Sequence, residues 1–489
     1  MSGAGSTVAA CSANSGTVKD TSDTRTIAAT VRRMTSLGAI RPYFRPRPLA
    51  AFALGISSGF PLTLLLATMT FWLSRVGIDK KTIGFAVGLT TPYTLKFLWA
   101  PLIDRVRLPG LAAVFGQRRA WLFVIQALLA AAVVALGFSD PVAHLGRFAV
   151  AAIVVAFLSA TQDIVIDAYR IELLPDAELA HGTAMNQFGY RTGNLIAGAG
   201  TVWLASAQGA GLGWSAAYAL TALCVLPGAV AALLSGPGLH EAASRAASAQ
   251  RRGTDWFRTT VLAPFAEFLS RRGAVLILIW IVVYKLGDAM GQIMLNPMIV
   301  ELGYSDTDYI AANKLVGFWA LIVGTACGAP LLARLGMARA LVATSLLMCA
   351  TNLGFAALAT QPHSRALLGL AVGAENFSSG VGLTIFATYL SGLSNLAYTA
   401  TQYALLSSLA SVGRTFLTTP SGYIADAVGW PGFYAFTAAM VLPGIALLLL
   451  LLRRGIIGRS ARASEAAQAT LLAEPVRPNV APDPNTTWA

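Results

Sequence analysis

Stretches of about twenty predominantly apolar residues, each long enough to cross the hydrocarbon core of a bilayer, recur along this chain and leave little else in it. Twelve can be placed, near 48–69, 83–103, 120–138, 148–168, 183–205, 214–235, 273–296, 309–332, 339–358, 366–390, 399–424 and 431–452. Composition agrees: 56% of the 489 residues are hydrophobic and 12% charged, where a soluble protein carries roughly 25% charged residues. An ordinary soluble enzyme is therefore excluded, and the chain reads as an all-α polytopic membrane protein with twelve transmembrane helices.

Residues 1–40 are rich in Ser, Thr, Ala and Gly and lack the apolar core of a signal peptide. They are expected to be disordered, with the first span an anchor that is not cleaved. Cys11 lies in this tail and Cys224, Cys327 and Cys349 in spans, with no disulfide frame or metal-ligand spacing. If the N-terminus is cytoplasmic, the outside loops hold only Arg75, Lys80, Lys81, Arg147 and Arg365. The spans hold Lys96, Arg191, Lys285, Lys314 and Arg414, and the other 25 of the 35 Lys and Arg fall inside. The positive-inside rule then places both termini in the cytoplasm. The net charge of +13 is topological, and no nucleic-acid partner is expected.

The polar loop Ser235 to Arg272 divides the spans six and six, and the halves resemble each other. GWSAAYALTALCVLPG (213–228) returns as GWPGFYAFTAAMVLPG (429–444), and APLIDR (100–105) returns as APLLAR (329–334). Arg191 in YRTG has a counterpart at Arg414 in GRT. A duplicated six-span half with an inside linker points to two pseudo-symmetric six-helix bundles that rock around a midplane site, the major facilitator architecture. The expected layout is a tail at 1–45, a bundle at 46–235, a linker at 236–272, a bundle at 273–452 and a disordered tail at 453–489.

Charges set inside these spans are costly unless they face protein or water, and are functional candidates for that reason. Asp163, Asp167 and Arg170 share one helix face at i, i+4 and i+7, and the next span carries Arg191. Tyr93, Lys96 and Trp99, at i, i+3 and i+6, place a cation between aromatics. That set suits a sugar ring and a carboxylate, or else Lys96 snorkels or pairs internally. Asp104-Arg105 and Arg118-Arg119 bracket the inside loop after the second span and are read as a gating latch. Lys285, Asp288 and Gln292 share a face of the seventh span, and Asn313-Lys314, Glu375-Asn376, Gln402 and Arg414 follow at depth. Many of these charges must neutralise one another.

FLWAPLIDR, SATQDIVIDAYRIELLP, YKLGDA, ANKLVG, AENFSSGVG and ATQYALLSSLASVGR, in this order and spacing, make the chain resemble the AmpG family of muropeptide permeases within the major facilitator superfamily, from about Phe52 to Leu452. The resemblance implies a carrier of the bacterial inner membrane. It would import N-acetylglucosaminyl-anhydro-N-acetylmuramyl peptides, driven by protons, for peptidoglycan recycling and, where an inducible β-lactamase is present, resistance signalling. Some members have two further C-terminal helices; this chain continues from Arg453 as a polar tail. Related branches carry acetyl-CoA, which stays an alternative ligand.

A muropeptide needs aromatic faces, amides or hydroxyls, and cations. Tyr93, Lys96, Trp99, Tyr190, Arg191, Tyr284, Lys285, Asn313, Lys314, Asn376, Gln402 and Arg414 supply them. Proton coupling needs a desolvated carboxylate, and Asp288, Glu375, Asp163 and Asp167 are the candidates. Asp288 or Glu375 is favoured by depth, with Asp163 and Arg191 as a structural or gating pair. His144, His181, His240 and His363 fall at span ends or in loops, which argues against a histidine relay. A non-transporting receptor or assembly factor on this fold is the other alternative. No nucleophile elbow, metal cluster or phosphate loop suggests an enzyme. No cofactor or metal is expected, and the carrier is expected to be a monomer in membrane lipid.

Overall fold

The computed structural model describes residues 41–78, 88–89, 91–207, 209–238, 262–305, 308, 310–361 and 363–457. Of the expected tails, 1–45 and 453–489, residues 1–40 and 458–489 lie outside the described residues, as do most of the linker, His240 and the start of the second span; residues 41–45 and 453–457 are ordered, with Tyr43, Ile456 and Ile457 buried. Every regular element among them is helical. The chain runs through α1 (Pro46–Arg75), α2 (Thr91–Leu95), α3 (Ala100–Arg105), α4 (Gln117–Gly137), α5 (Leu145–Leu173), α6 (Asp176–Leu195) and α7 (Gly213–Ser235). After the linker come α8 (Ala263–Ser270), α9 (Ala274–Glu301), α10 (Phe318–Leu358), α11 (Arg365–Leu393), α12 (Thr399–Phe416) and α13 (Ser421–Arg453).

Eight helices among the described residues are long and apolar enough to cross a membrane, and the difference from the twelve expected spans has a local cause in each case. The eighth and ninth spans run into each other at Gly336 (φ 72°), a backbone conformation that glycine adopts without steric cost. The second span is divided into α2, a tight turn at Lys96–Leu98 and α3. α6 and α12 are too polar, because α6 carries Asn186, Gln187 and Arg191 and α12 carries Gln402, Ser407 and Ser411. Polar residues depress hydropathy in the helices that face the middle of the molecule.

α1 and α6 pack more closely than ordinary side chains permit. Gly55 and Gly59 on α1 face Gly189 and Gly193 on α6, each pair spaced by four. A Cβ at Gly55 would lie 2.1 Å from Asn186 O, at Gly59 2.2 Å from Tyr190 O, at Gly189 1.9 Å from Phe52 O and at Gly193 2.4 Å from Ile56 O. Two facing small-xxx-small motifs of this kind gain dispersion contact where lipid offers no hydrophobic drive for helix association. The first span stays helical through Gly59 and Pro61 and widens to π-type turns over Leu64–Thr68.

Apolar packing runs both within and between the halves. One core joins Phe60, Leu64, Trp72, Leu129, Phe148 and Tyr218, and another joins Met290, Met298, Phe355, Phe433 and Tyr434. Other cores cross between the halves: Ala400 and Ala404 of α12 pack against α3 and α5, Ile171 of α5 packs against the second half, and Ala184 and Met185 of α6 join Ala329 of α10. Outward-facing Leu234, Val300 and Trp319 are exposed, as lipid-facing side chains are.

The helix seam gives a first prediction. Gly189→Leu should lower the apparent melting temperature of the detergent-purified protein, by overpacking on the order of 1–3 kcal/mol or more. Gly354→Ala, where an added Cβ meets nothing within 4 Å, should leave it unchanged. Equal melting of both variants would remove the close-contact argument.

Candidate functional site

α5 carries its charges on one face, and the turn at Lys96–Leu98 delivers a cation to it. Lys96 Nζ lies 3.9 Å from Oδ2 of both Asp163 and Asp167, and Ser58 donates to Asp163 Oδ1 at 2.5 Å. Asp167 Oδ1 is 3.6 Å from Arg170 Nη2. Arg170 also donates to Thr183 (2.8 Å) and, across the halves, to Ser391 (3.2 Å), with its guanidinium 5.5 Å from the Tyr403 ring. Two acids thus meet two bases, and the buried charge is balanced within the cluster. Tyr93 donates its hydroxyl to Ser159 (2.6 Å). Trp99 donates to Thr161 (3.1 Å) and packs on Phe157. Of the two readings of Lys96, the geometry is that of internal pairing.

A second cluster joins the halves at the end that carries the loop between α3 and α4. Asp104 Oδ1 accepts from Arg118 Nη2 (2.6 Å) and from the Ala400 N–H (3.2 Å). Its Oδ2 accepts from the Thr401 N–H (2.8 Å) and hydroxyl (2.5 Å). Arg118 Nε donates to Glu172 Oε1 at 2.9 Å. Ala400 and Thr401 begin α12, so a carboxylate from the first half caps a helix of the second. Helix N-termini carry unpaired N–H groups and partial positive charge, and an aspartate satisfies both. Arg105 and Arg119 flank the cluster and are half-buried.

Between the halves lies a cavity of about 280 Å³. α6 contributes Gln187 and Arg191, while α9 contributes Lys285, Asp288 and Gln292. Phe386 comes from α11, and Tyr403, Ser407 and Ser411 from α12. α9 is interrupted at Lys285 (φ −108°, ψ 14°), which aims its ammonium at Asp288 Oδ2, 3.4 Å away. Gln292 Nε2 donates to Glu375 Oε1 (3.0 Å), Ser379 Oγ (3.1 Å) and Asp288 Oδ2 (3.4 Å). Thr351 donates to Glu375 Oε2 at 2.9 Å. Asp288 and Glu375 are 2% and 3% exposed, so depth and neighbours make them one buried acidic pair. Cations of both halves thus line one polar chamber that also presents aromatic faces and hydroxyls.

Comparison with known proteins fits this arrangement. The sequence profile of the Major Facilitator Superfamily matches residues 49–418. An anhydromuropeptide permease of Escherichia coli K12 is 37% identical over 412 residues, 84% of this chain and 81% of that one. The chain belongs to the AmpG family of major facilitators. A Rickettsia conorii protein named as transporter AmpG 4 is 34% identical over 82% of this chain and 95% of its own length. Among solved structures, the proton:xylose symporter XylE aligns with a TM-score of 0.61 at 16% identity, over 84% of this chain and 95% of that one. FucP, in an outward conformation, aligns with a TM-score of 0.60 at 15% identity, over 84% and 99%. At such identities these two speak for the fold alone. The chain is a transporter of this family and not an enzyme.

The other expected site residues of this AmpG-family protein are dispersed. Tyr284 is buried, hydrogen-bonded to Thr344 and stacked on Phe386 at 4.9 Å, so it backs the cavity wall. Tyr190 lies on the seam with α1. Asn376 donates to Val372 O of its own helix, and Asn313 Nδ2 is buried without a hydrogen-bond partner. Gln402 is drawn away from the cavity. Its amide donates to Glu267 and Pro264 O of the α8 segment, and its carbonyl accepts from Asn395 N and Arg271. The side chains of Lys314 and Arg414 lie outside the described residues. Glu172, Thr401 and Ser379 were not singled out from the sequence. Glu172 stands in a motif quoted for the family, yet nothing local shows that it meets Arg118, 54 positions upstream.

Replacing Asp104 by Ala should weaken the junction between α3 and α12. Loss of a helix cap corresponds to about 0.5–2 kcal/mol. Spin labels on the two halves at that end should then report a larger fraction of separated molecules. An unchanged distance distribution would show that the cap does not hold the halves together.

Proposed function

We propose that this protein imports N-acetylglucosaminyl-anhydro-N-acetylmuramyl peptides across the bacterial inner membrane by proton symport, and so serves peptidoglycan recycling and, where an inducible β-lactamase exists, resistance signalling. The kinship to the anhydromuropeptide permease over most of both chains carries this reading. The cavity chemistry supports it: Lys285 and Arg191 suit peptide carboxylates, Phe386 and Tyr403 offer faces to sugar rings, and the serines of α12 offer hydroxyls. At about 280 Å³ the cavity lies below the roughly 300–1,000 Å³ of small-molecule sites. A disaccharide-peptide therefore enters only as the halves, 46–235 and 273–452, part. Both termini face the cytoplasm on the distribution of basic residues, which makes the Asp104 cluster a cytoplasmic gate. The carrier works as a monomer.

Proton coupling is assigned to Asp288 and Glu375. Among the described side chains of α9 and α11, the pair is balanced by one cation, Lys285, and the second cation at the cavity, Arg191, belongs to the other half. Two buried carboxylates with one adjacent cation favour retention of a proton, because ionising both leaves an uncompensated buried charge. Movement of Arg191 with its half changes that balance and links proton occupancy to the state of the carrier. The Asp163–Asp167 cluster, already balanced, serves structure.

Labelled anhydro-muropeptide should accumulate in proteoliposomes of the purified protein when a proton gradient is imposed, and excess acetyl-CoA should not compete. No uptake above protein-free vesicles, or full competition by acetyl-CoA, would overturn the substrate assignment. Asp288→Asn and Glu375→Gln should each abolish gradient-driven accumulation, and accumulation undiminished in both would remove the coupling assignment. Lys285→Ala should raise the half-saturation concentration roughly tenfold, the scale of one lost charge-assisted hydrogen bond.

A further inference from the structure

We propose that Gln292 is a positioning residue that reports occupancy of the cavity to the buried Asp288–Glu375 pair. This inference rests on the transport reading above and assigns a role to a residue outside it.

A glutamine amide has two N–H groups, and Gln292 Nε2 lies within hydrogen-bond distance of three acceptors: Glu375 Oε1 at 3.0 Å, Ser379 Oγ at 3.1 Å and Asp288 Oδ2 at 3.4 Å. Gln292 cannot serve all three at once, and of the three Asp288 Oδ2 also faces the Lys285 ammonium at 3.4 Å, whereas Glu375 Oε1 depends on Gln292. Asp288 Oδ1 is buried and has no hydrogen-bond partner, so the donors already fall short of the acceptors in the pair. Gln292, Asp288 and Ser379 line the cavity, whereas Glu375 does not. Glu375 reaches the cavity through Gln292 and is held from behind by Thr351.

A ligand acceptor in the cavity, such as a peptide carboxylate or an acetamido carbonyl, adds a fourth claimant to two N–H groups. When it takes one, a carboxylate of the pair loses a donor. A hydrogen bond donated to a carboxylate favours its charged form, so its withdrawal favours the protonated acid. Ligand binding thereby promotes protonation, and by reciprocity protonation promotes ligand binding. The sign is that of symport: affinity strengthens as pH falls. Other charged or titratable groups face this site. They are Lys285 and Tyr284 on α9, Arg191 on α6, Tyr403 on α12, and Tyr434 on α13, whose hydroxyl donates to Gly291 O at 3.0 Å. None of them is altered by substituting Gln292, which separates its contribution from theirs.

The test is calorimetric titration of the full chain in nanodiscs with an N-acetylglucosaminyl-anhydro-N-acetylmuramyl tripeptide at pH 6, 7 and 8. In the wild type the affinity should strengthen about tenfold from pH 8 to pH 6, the scale of one hydrogen bond to a charged group. Gln292→Leu should still bind, with an affinity that no longer depends on pH. If Gln292→Leu weakens binding equally at each pH and keeps the wild-type slope, Gln292 is a ligand contact only and the proposal fails. A wild type that binds with no pH dependence also overturns it, while leaving the muropeptide reading intact. Absence of binding to the folded wild type overturns that reading and this proposal together. If Gln292→Leu does not survive extraction, Gln292→Asn, whose amide stops one carbon short, must show the flattened slope, and a normal slope in it overturns the proposal.

Discussion

The N-terminus of α12 is buried where the two halves meet, and its first N–H groups have no partner within their own helix. A helix end shielded from water must find acceptors or lose the desolvation energy of its donors. Asp104 supplies both oxygens, so a backbone requirement of the second half is met only while the first half is docked against it. Arg118 holds the carboxylate in place and is itself held by Glu172. The polar cap sits beside an apolar contact, in which Ala400 and Ala404 pack against α3 and α5. The junction between the halves thus combines a charged cap with apolar packing that crosses from one half to the other.

From that junction α12 runs directly to the cavity. Thr401 sits at the Asp104 cluster, and Tyr403, Ser407 and Ser411 follow along the cavity wall. One helix therefore touches both the polar junction at Asp104 and the cavity. The distribution of buried charge fits the same division of labour. The Lys96–Asp163–Asp167–Arg170 group is neutral by itself and lies wholly on the first half. The Lys285–Asp288–Glu375 group has one acid in excess and looks across the cavity toward Arg191. Buried charge that is balanced locally adds rigidity, whereas charge balanced across a moving boundary is sensitive to movement.

Much of this was legible in the sequence. Periodic apolar segments, the repeated GW…LPG and APL…R motifs, and acids and bases at helical spacing gave the helical architecture and its duplicated halves. The depth of Asp288 and Glu375 and the face shared by Lys285, Asp288 and Gln292 were also read from spacing, and the acidic-basic pairing of Asp104 with Arg118 from their place around the loop between α3 and α4. What could not be read was pairing between helices. Helical periodicity fixes which side chains share a face of one helix; it says nothing about which neighbour that face meets. Lys96 reads equally well as a ligand cation and as the partner of Asp163 and Asp167. Gln402, polar and deep, reads as a cavity residue, yet its four hydrogen bonds go toward α8 and the loop before α12. The polarity of α6 and α12 misleads a hydropathy count for the same reason, since these helices face other protein and the chamber more than lipid.

The glycine seam between α1 and α6 bears on motion as well as stability. With a carbonyl oxygen seated where each glycine lacks a side chain, these two helices cannot shear past one another without backbone collision. They form a single lever arm, and Arg191, set between Gly189 and Gly193, rides at a fixed radius on it. Whatever swing opens the chamber must therefore carry that guanidinium through an arc determined by the whole first half.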